Sequence, residues 1–221
     1  MINRQHHSKK DFQVERIALF SDAVFAIAIT LLIIDIKVPQ LSPHSPTEHD
    51  FIAALFTLLP KFMGFVFSFF IIGLYWFIHH RMFGFVIQCT GKLIWLNLLF
   101  LFSVVLMPFS TAVYSEYSST EYINLITPYV IYVVNICLTG FFNFLLWSYI
   151  GKPGNGITEN FPSGDFLQKA KIRSLLLPVI FIASLLTAII VNPIIGRFVL
   201  FLTPVLMSFV RNKKDKTTHT V

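Results

Sequence analysis

Long apolar runs alternate with short polar segments along the whole chain. A bilayer core takes about 20 apolar residues in a helix. Six runs meet or approach that length, at roughly 17–38, 62–80, 93–113, 123–150, 172–191 and 194–210. The last is short. Asn192-Pro193 between the fifth and sixth is a turn signal and predicts a tight hairpin. The second run is preceded by a helical pattern from about Phe51, with Pro60 as a kink. The first run contains Asp22 and lacks a small-x-small cleavage site, so it reads as a retained helix rather than a signal peptide. The fold class expected is an all-α membrane protein with six transmembrane helices. Residues 1–15 form an N-terminal segment, 16–211 the transmembrane domain and 212–221 a basic tail.

Composition sharpens this. Of 221 residues, 55% are hydrophobic, 25 are Phe and only 13% are charged, against about 25% charged in a soluble domain. A soluble enzyme of this size, a disordered chain and a disulfide-stapled domain are all excluded. The two cysteines show no zinc or CxxC spacing and read as packing residues. The net charge of +6 matters less than its placement. With six spans, 14 of the 17 basic residues fall on one side; only Lys37, Lys61 and Arg197 fall on the other, where the loops carry Glu48, Asp50, Glu116 and Glu121. That asymmetry sets both termini in the cytoplasm and makes nucleic-acid binding an unneeded explanation of the charge.

Charges inside a span are costly unless paired or wet. Asp22 lies about one turn into the first span and Asp35 near its other end, beside Lys37. At about 100° per residue, Ala23, Ile27, Thr30, Leu31, Ile34 and Val38 share one stripe. Asp22 points about 140° away from Ile27 and must seek a donor on a neighbouring helix. The second span ends Trp76-x-x-His79-His80-Arg81 at the same level, so a His or Trp N–H is the expected partner, with a proton relay as the functional alternative. Asn135, Thr139 and Asn143, and likewise Gly64 and Ser68, read as helix–helix contacts. His44, His49 and Asp50 read as surface residues rather than a metal site. Catalysis finds no support: adjacent Ser21 and Asp22 point about 100° apart and cannot share one His as a triad does, and no HExxH, Walker loop or GxSxG is present. The segment 151–156, Gly-Lys-Pro-Gly-Asn-Gly, reads as a flexible linker.

Arg16-x-x-x-Phe20-Ser21-Asp22 at the opening of the first span resembles the signature of the transmembrane protein 175 family of endosomal and lysosomal potassium channels and their bacterial relatives. The Trp76-x-x-His79-His80 end of the second span and the stretch from Trp95-Leu96-Asn97 to Pro108-Phe109 are similar to the same family. The resemblance implies a potassium-selective, leak-type channel rather than an enzyme. It implies a homotetramer in membrane lipid whose first helices line a central pore, with no cofactor beyond the permeating potassium ion. One six-span unit fits the bacterial form, hence a bacterial inner membrane. The gate implied is a ring of Ile27, with further rings at Thr30, Leu31 and Ile34, positions that also lie on the stripe drawn from angles. Arg16, Phe20, Ser21 and Asp22 are expected to hold the pore helix, with His79 or His80 as partners. Asp35 lies outside what the family implies. Facing the outer mouth it would attract cations; paired with Lys37 it would not. The rival class is a proton-coupled secondary transporter working through Asp22 and His79, although no internal repeat is visible.

Overall fold

The structure is a computed structural model. It describes residues 2–199 apart from 42–44, 46, 120, 160, 162 and 163, and only the backbone of residues 2–11, 198 and 199. Among the described residues there are eight helices: α1 (Ile2–Ile34), α2 (Glu48–Thr57), α3 (Leu59–Phe83), α4 (Gly91–Val105), α5 (Met107–Glu116), α6 (Thr127–Ile150), α7 (Gly164–Ile190) and α8 (Pro193–Val199).

Local chemistry sets most of their ends. α2 starts at a capping box: the Thr47 hydroxyl accepts from Asp50 N, and the Asp50 carboxylate accepts from Thr47 N at 2.9 Å. α2 and α3 part at Leu58, and Pro60 occupies the first turn of α3, where its missing N–H costs nothing. The kink expected at Pro60 is therefore a break between two helices. Pro108 does the same to the third span, which changes from α4 to α5 at Leu106. Thr90 opens α4 by accepting from Leu93 N at 3.2 Å. At the α7–α8 turn, Asn192 Oδ1 accepts from Ile194 N at 2.8 Å, and Gly196 lies against Ala188 with no room for a Cβ. The predicted hairpin is thus a capped turn closed by a glycine.

Five segments are long and apolar enough to cross a membrane: Phe12–Ile34, Leu59–Phe83, Gly91–Glu116, Thr127–Ile150 and Gly164–Ile190. The chain is a multi-pass helical membrane protein. Of the expected sixth span, residues 194–199 lie in α8 and the remainder lies outside the described residues, as does the tail 212–221. Residues 2–15 are helical and continuous with the rest of α1.

α6 is central, packed against α4, α5 and α7, while α1 lies on one flank of α3, α4 and α5. The α6–α7 crossing is close because Gly140 faces Pro178; a Cβ there would come within 2.3 Å of Pro178 Cγ. Gly64 gives α3 a similar approach to Ser115 of α5, and Ser68 one turn later bonds to Thr111 at 2.7 Å and to Tyr132 at 2.8 Å. The glycine-rich segment after α6 is not a free linker. Gly154 and Gly156 take φ of +75° and +67°, and Asn155 Nδ2 donates to the Tyr149 carbonyl at 2.7 Å, capping α6. Ile157 is then buried and Thr158 bridges to Val86.

Candidate functional site

α1 has two faces. Ser21, Phe25, Ala28 and Leu32 follow helical spacing and are buried against the bundle. Ala23, Ile27, Thr30, Leu31 and Ile34 lie on the other face and are exposed, Ile27 at 58% and Ile34 at 69%. Val38, just past the helix, is exposed too. The Thr30 hydroxyl donates to the Ile27 carbonyl at 2.9 Å, leaving its oxygen turned outward on an apolar ridge.

The buried face is fixed by hydrogen bonds near the end of the bundle that carries the N-terminus, called here the near end. Ser21 Oγ donates to the Ile17 carbonyl at 2.8 Å and accepts from Asn97 Nδ2 at 2.9 Å. Asn97 Oδ1 pairs with His79 Nε2 at 2.8 Å. The His79 ring is enclosed by Phe25, Phe83 and Phe100, the last stacked 8° from parallel at 5.7 Å. Beside this chain runs a second contact, where Trp76 Nε1 donates to Asp22 Oδ1 at 2.9 Å. One serine and one aspartate, adjacent in sequence and about 100° apart, thus bind α1 to two helices, α4 and α3.

The expected partners are redistributed. His79 takes Asn97 rather than Asp22. His80 stacks on Trp76 at 5.7 Å. Phe20 is exposed at 52%. Arg16 makes no hydrogen bond or ion pair among the described residues; it is exposed, rests over the Phe12 ring at 5.8 Å and lines an open cleft of about 400 Å³ with Gln13, Phe20, Ile94 and Leu98. At the opposite, far end, Asp35 and Lys37 form no salt bridge, and Lys61 pairs with Glu116. Asn97 is the side chain of this chain of bonds that sequence reasoning left without a role. A polar residue in the apolar run 93–113 was the available signal. Among the described residues no group of three or more His, Cys, Asp or Glu could hold a metal ion, and Cys89 and Cys137 are free thiols.

The first helix of this multi-pass bundle is anchored on one face and bare along an apolar ridge on the other. Residues 16–108 match the family model described as endosomal/lysosomal potassium channel TMEM175. A potassium channel of Streptomyces collinus is 38% identical over 132 residues, covering 60% of this chain and 62% of that one. An endosomal/lysosomal proton channel TMEM175 of Gallus gallus is 31% identical over 138 residues, 61% of this chain and 27% of that one. The crystal structure of a lysosomal potassium-selective channel TMEM175 homolog from Chamaesiphon minutus superposes with a TM-score of 0.73 at 25% identity, covering 90% of this chain and 99% of that one. Over residues 16–108 this chain is similar to the TMEM175 family, a family of ion channels and not of enzymes, and its fold matches that of a TMEM175 homolog along 90% of its length. It spans 62% of the Streptomyces relative and about half of two further bacterial relatives.

Proposed function

We infer that the chain is a potassium-selective, leak-type cation channel, assembled as a homotetramer of six-span subunits with α1 from each copy around a central pore. The observation that carries this reading is the bare ridge of α1. Ile27, Leu31 and Ile34 are exposed on the face opposite the anchored one, with Thr30 among them. The relatives named as potassium channels support the same ion.

Four Ile27 side chains meeting at an axis make a narrow apolar neck that excludes water, so the closed state needs no moving charge. Opening requires the helices to tilt or turn until the neck wets. Thr30, one turn further along, offers a hydroxyl oxygen that replaces part of the ion's water shell. Asp35, free of Lys37, places a ring of carboxylates toward the outer mouth and raises the local cation concentration there. Excess basic charge at the near end sets that end in the cytoplasm of a bacterial cell, with both termini inside its inner membrane.

The test is potassium flux into proteoliposomes containing the full chain. Wild type gives a potassium leak, and Ile27→Asn wets the neck and raises it. A variant with unchanged flux removes Ile27 from the gate. A wild type that turns over no faster than about 10³ ions per second behaves as a stepwise carrier, not a pore.

A further inference from the structure

Among the described residues, Arg16, Arg81, Lys92, Lys171 and Arg197 lie over aromatic rings. Arg16, Arg81, Lys92 and Lys171 do so at the near end, the first three exposed to solvent that hydrates their charge. Arg197 is different. It sits in α8 at the far end, five residues past Asn192, with its guanidinium 5.8 Å from the Tyr114 ring centroid and 5.9 Å from that of Tyr129. Nε and both Nη atoms are buried, and none has a hydrogen-bond acceptor.

That state is incomplete. A guanidinium holds its proton under all ordinary conditions, so it cannot relieve burial by becoming neutral. Two aromatic faces return only part of the lost hydration, and a buried cation without an acceptor is strongly unfavourable. The neighbouring polar groups are engaged elsewhere. The Tyr129 and Ser184 hydroxyls bond to each other, and Ser184 Oγ donates to the Gly196 carbonyl. Glu116, two residues beyond Tyr114, pairs with Lys61. The missing acceptor therefore comes from outside the described residues. Five N–H donors in a planar fork match the paired oxygens of an oxyanion. Beside a membrane-spanning bundle, phosphate is an oxyanion with the paired oxygens this fork fits.

We propose that Arg197, held between Tyr114 of α5 and Tyr129 of α6, binds a phosphate-type oxyanion, and that the bound anion fastens α8 to the bundle. Two sources share this chemistry, the phosphodiester of a phospholipid headgroup and free inorganic phosphate. The inference stands apart from ion conduction and is tested without it.

The full chain, stripped of lipid in neutral detergent, is measured by native mass spectrometry and by thermal unfolding. The probes are phosphatidylglycerol, diacylglycerol as its phosphate-free counterpart, and inorganic phosphate against chloride at equal ionic strength. Wild type retains phosphatidylglycerol but not diacylglycerol if the source is lipid, and its unfolding midpoint rises with inorganic phosphate if the source is the free ion. Arg197→Gln weakens the retained species about tenfold, Arg197→Lys less, since a point charge replaces the fork, and Lys61→Gln, a far-end cation already paired, leaves it unchanged. The wild-type measurements stand even if Arg197→Gln does not fold. No retention and no shift with any phosphate probe in wild type, or wild-type affinity in Arg197→Gln, overturns the proposal.

Discussion

α1 and α6 both have the length and apolarity to cross a membrane, yet 22% of the most apolar window of α1 is buried against 50% for α6. The difference lies in where each puts its polar side chains. On α6, Asn135, Thr139 and Asn143 face inward: Asn135 Nδ2 donates to Ser110 Oγ at 2.9 Å, and Thr139 to the Asn135 carbonyl at 2.9 Å. On α1, Ser21 faces inward to Asn97 while Thr30 faces outward on the apolar ridge. α6 finds its packing partners within its own chain. α1 has only one face so provided, and its anchor lies at one end. A helix held that way can shift its free length without unpacking the bundle, which is the property a pore-lining helix needs.

Overfilling the central contact should produce the largest effect. Gly140→Ala forces a Cβ into Pro178 and the Ser174 carbonyl, and the expected cost is about 3 kcal/mol. Thermal unfolding in detergent should show it as a large drop in midpoint. Gly73→Ala in α3 meets nothing within 4 Å; it should be neutral or gain up to about 1 kcal/mol of helix propensity. A tolerated Gly140→Ala would mean that α6 is no better packed than α1.

The anchor comes next. Asn97→Leu leaves the enclosed His79 nitrogen without its partner and frees Ser21 from α4, costing about 2 kcal/mol. Asp22→Asn keeps an oxygen for Trp76 Nε1 and should cost less than about 1 kcal/mol. Comparing the two midpoints decides whether the Ser21–Asn97–His79 chain or the Asp22–Trp76 contact holds α1. A larger loss in Asp22→Asn would reverse the assignment.

The smallest effect is expected at the far end. Asp35→Asn should lower conductance about twofold in dilute potassium, with the difference fading at high salt as the ring is screened. An effect that persists in concentrated salt would place Asp35 in direct contact with the permeating ion.

Much of this arrangement can be read from the chain. Helical angles separate the Ile27 ridge from Asp22, Pro60 marks a helix break, and Asn192-Pro193 marks the α7–α8 turn, because each depends on local geometry. The pairing of side chains between helices cannot be read the same way, since it depends on how far each helix slides along its neighbour. His79 and Trp76 lie within one turn of each other, and only the α1–α3–α4 register sends the first to Asn97 and the second to Asp22. The segment 151–156 was legible as turn-forming, but not as a cap, because the bond from Asn155 back to Tyr149 is made by the fold of the loop itself. Arg16, prominent in the sequence pattern, makes no bond of the anchor among the described residues.

The most direct test of the outward ridge is disulfide cross-linking in membranes. With Cys89 and Cys137 replaced, Ile27→Cys should give cross-linked pairs of 25.3 kDa chains on mild oxidation if the proposed central axis brings the copies together. Val179→Cys, equally exposed on α7, serves as the lipid-facing control and should stay single. Ile27→Cys remaining as single chains under the conditions where Val179→Cys also does would contradict a pore lined by α1.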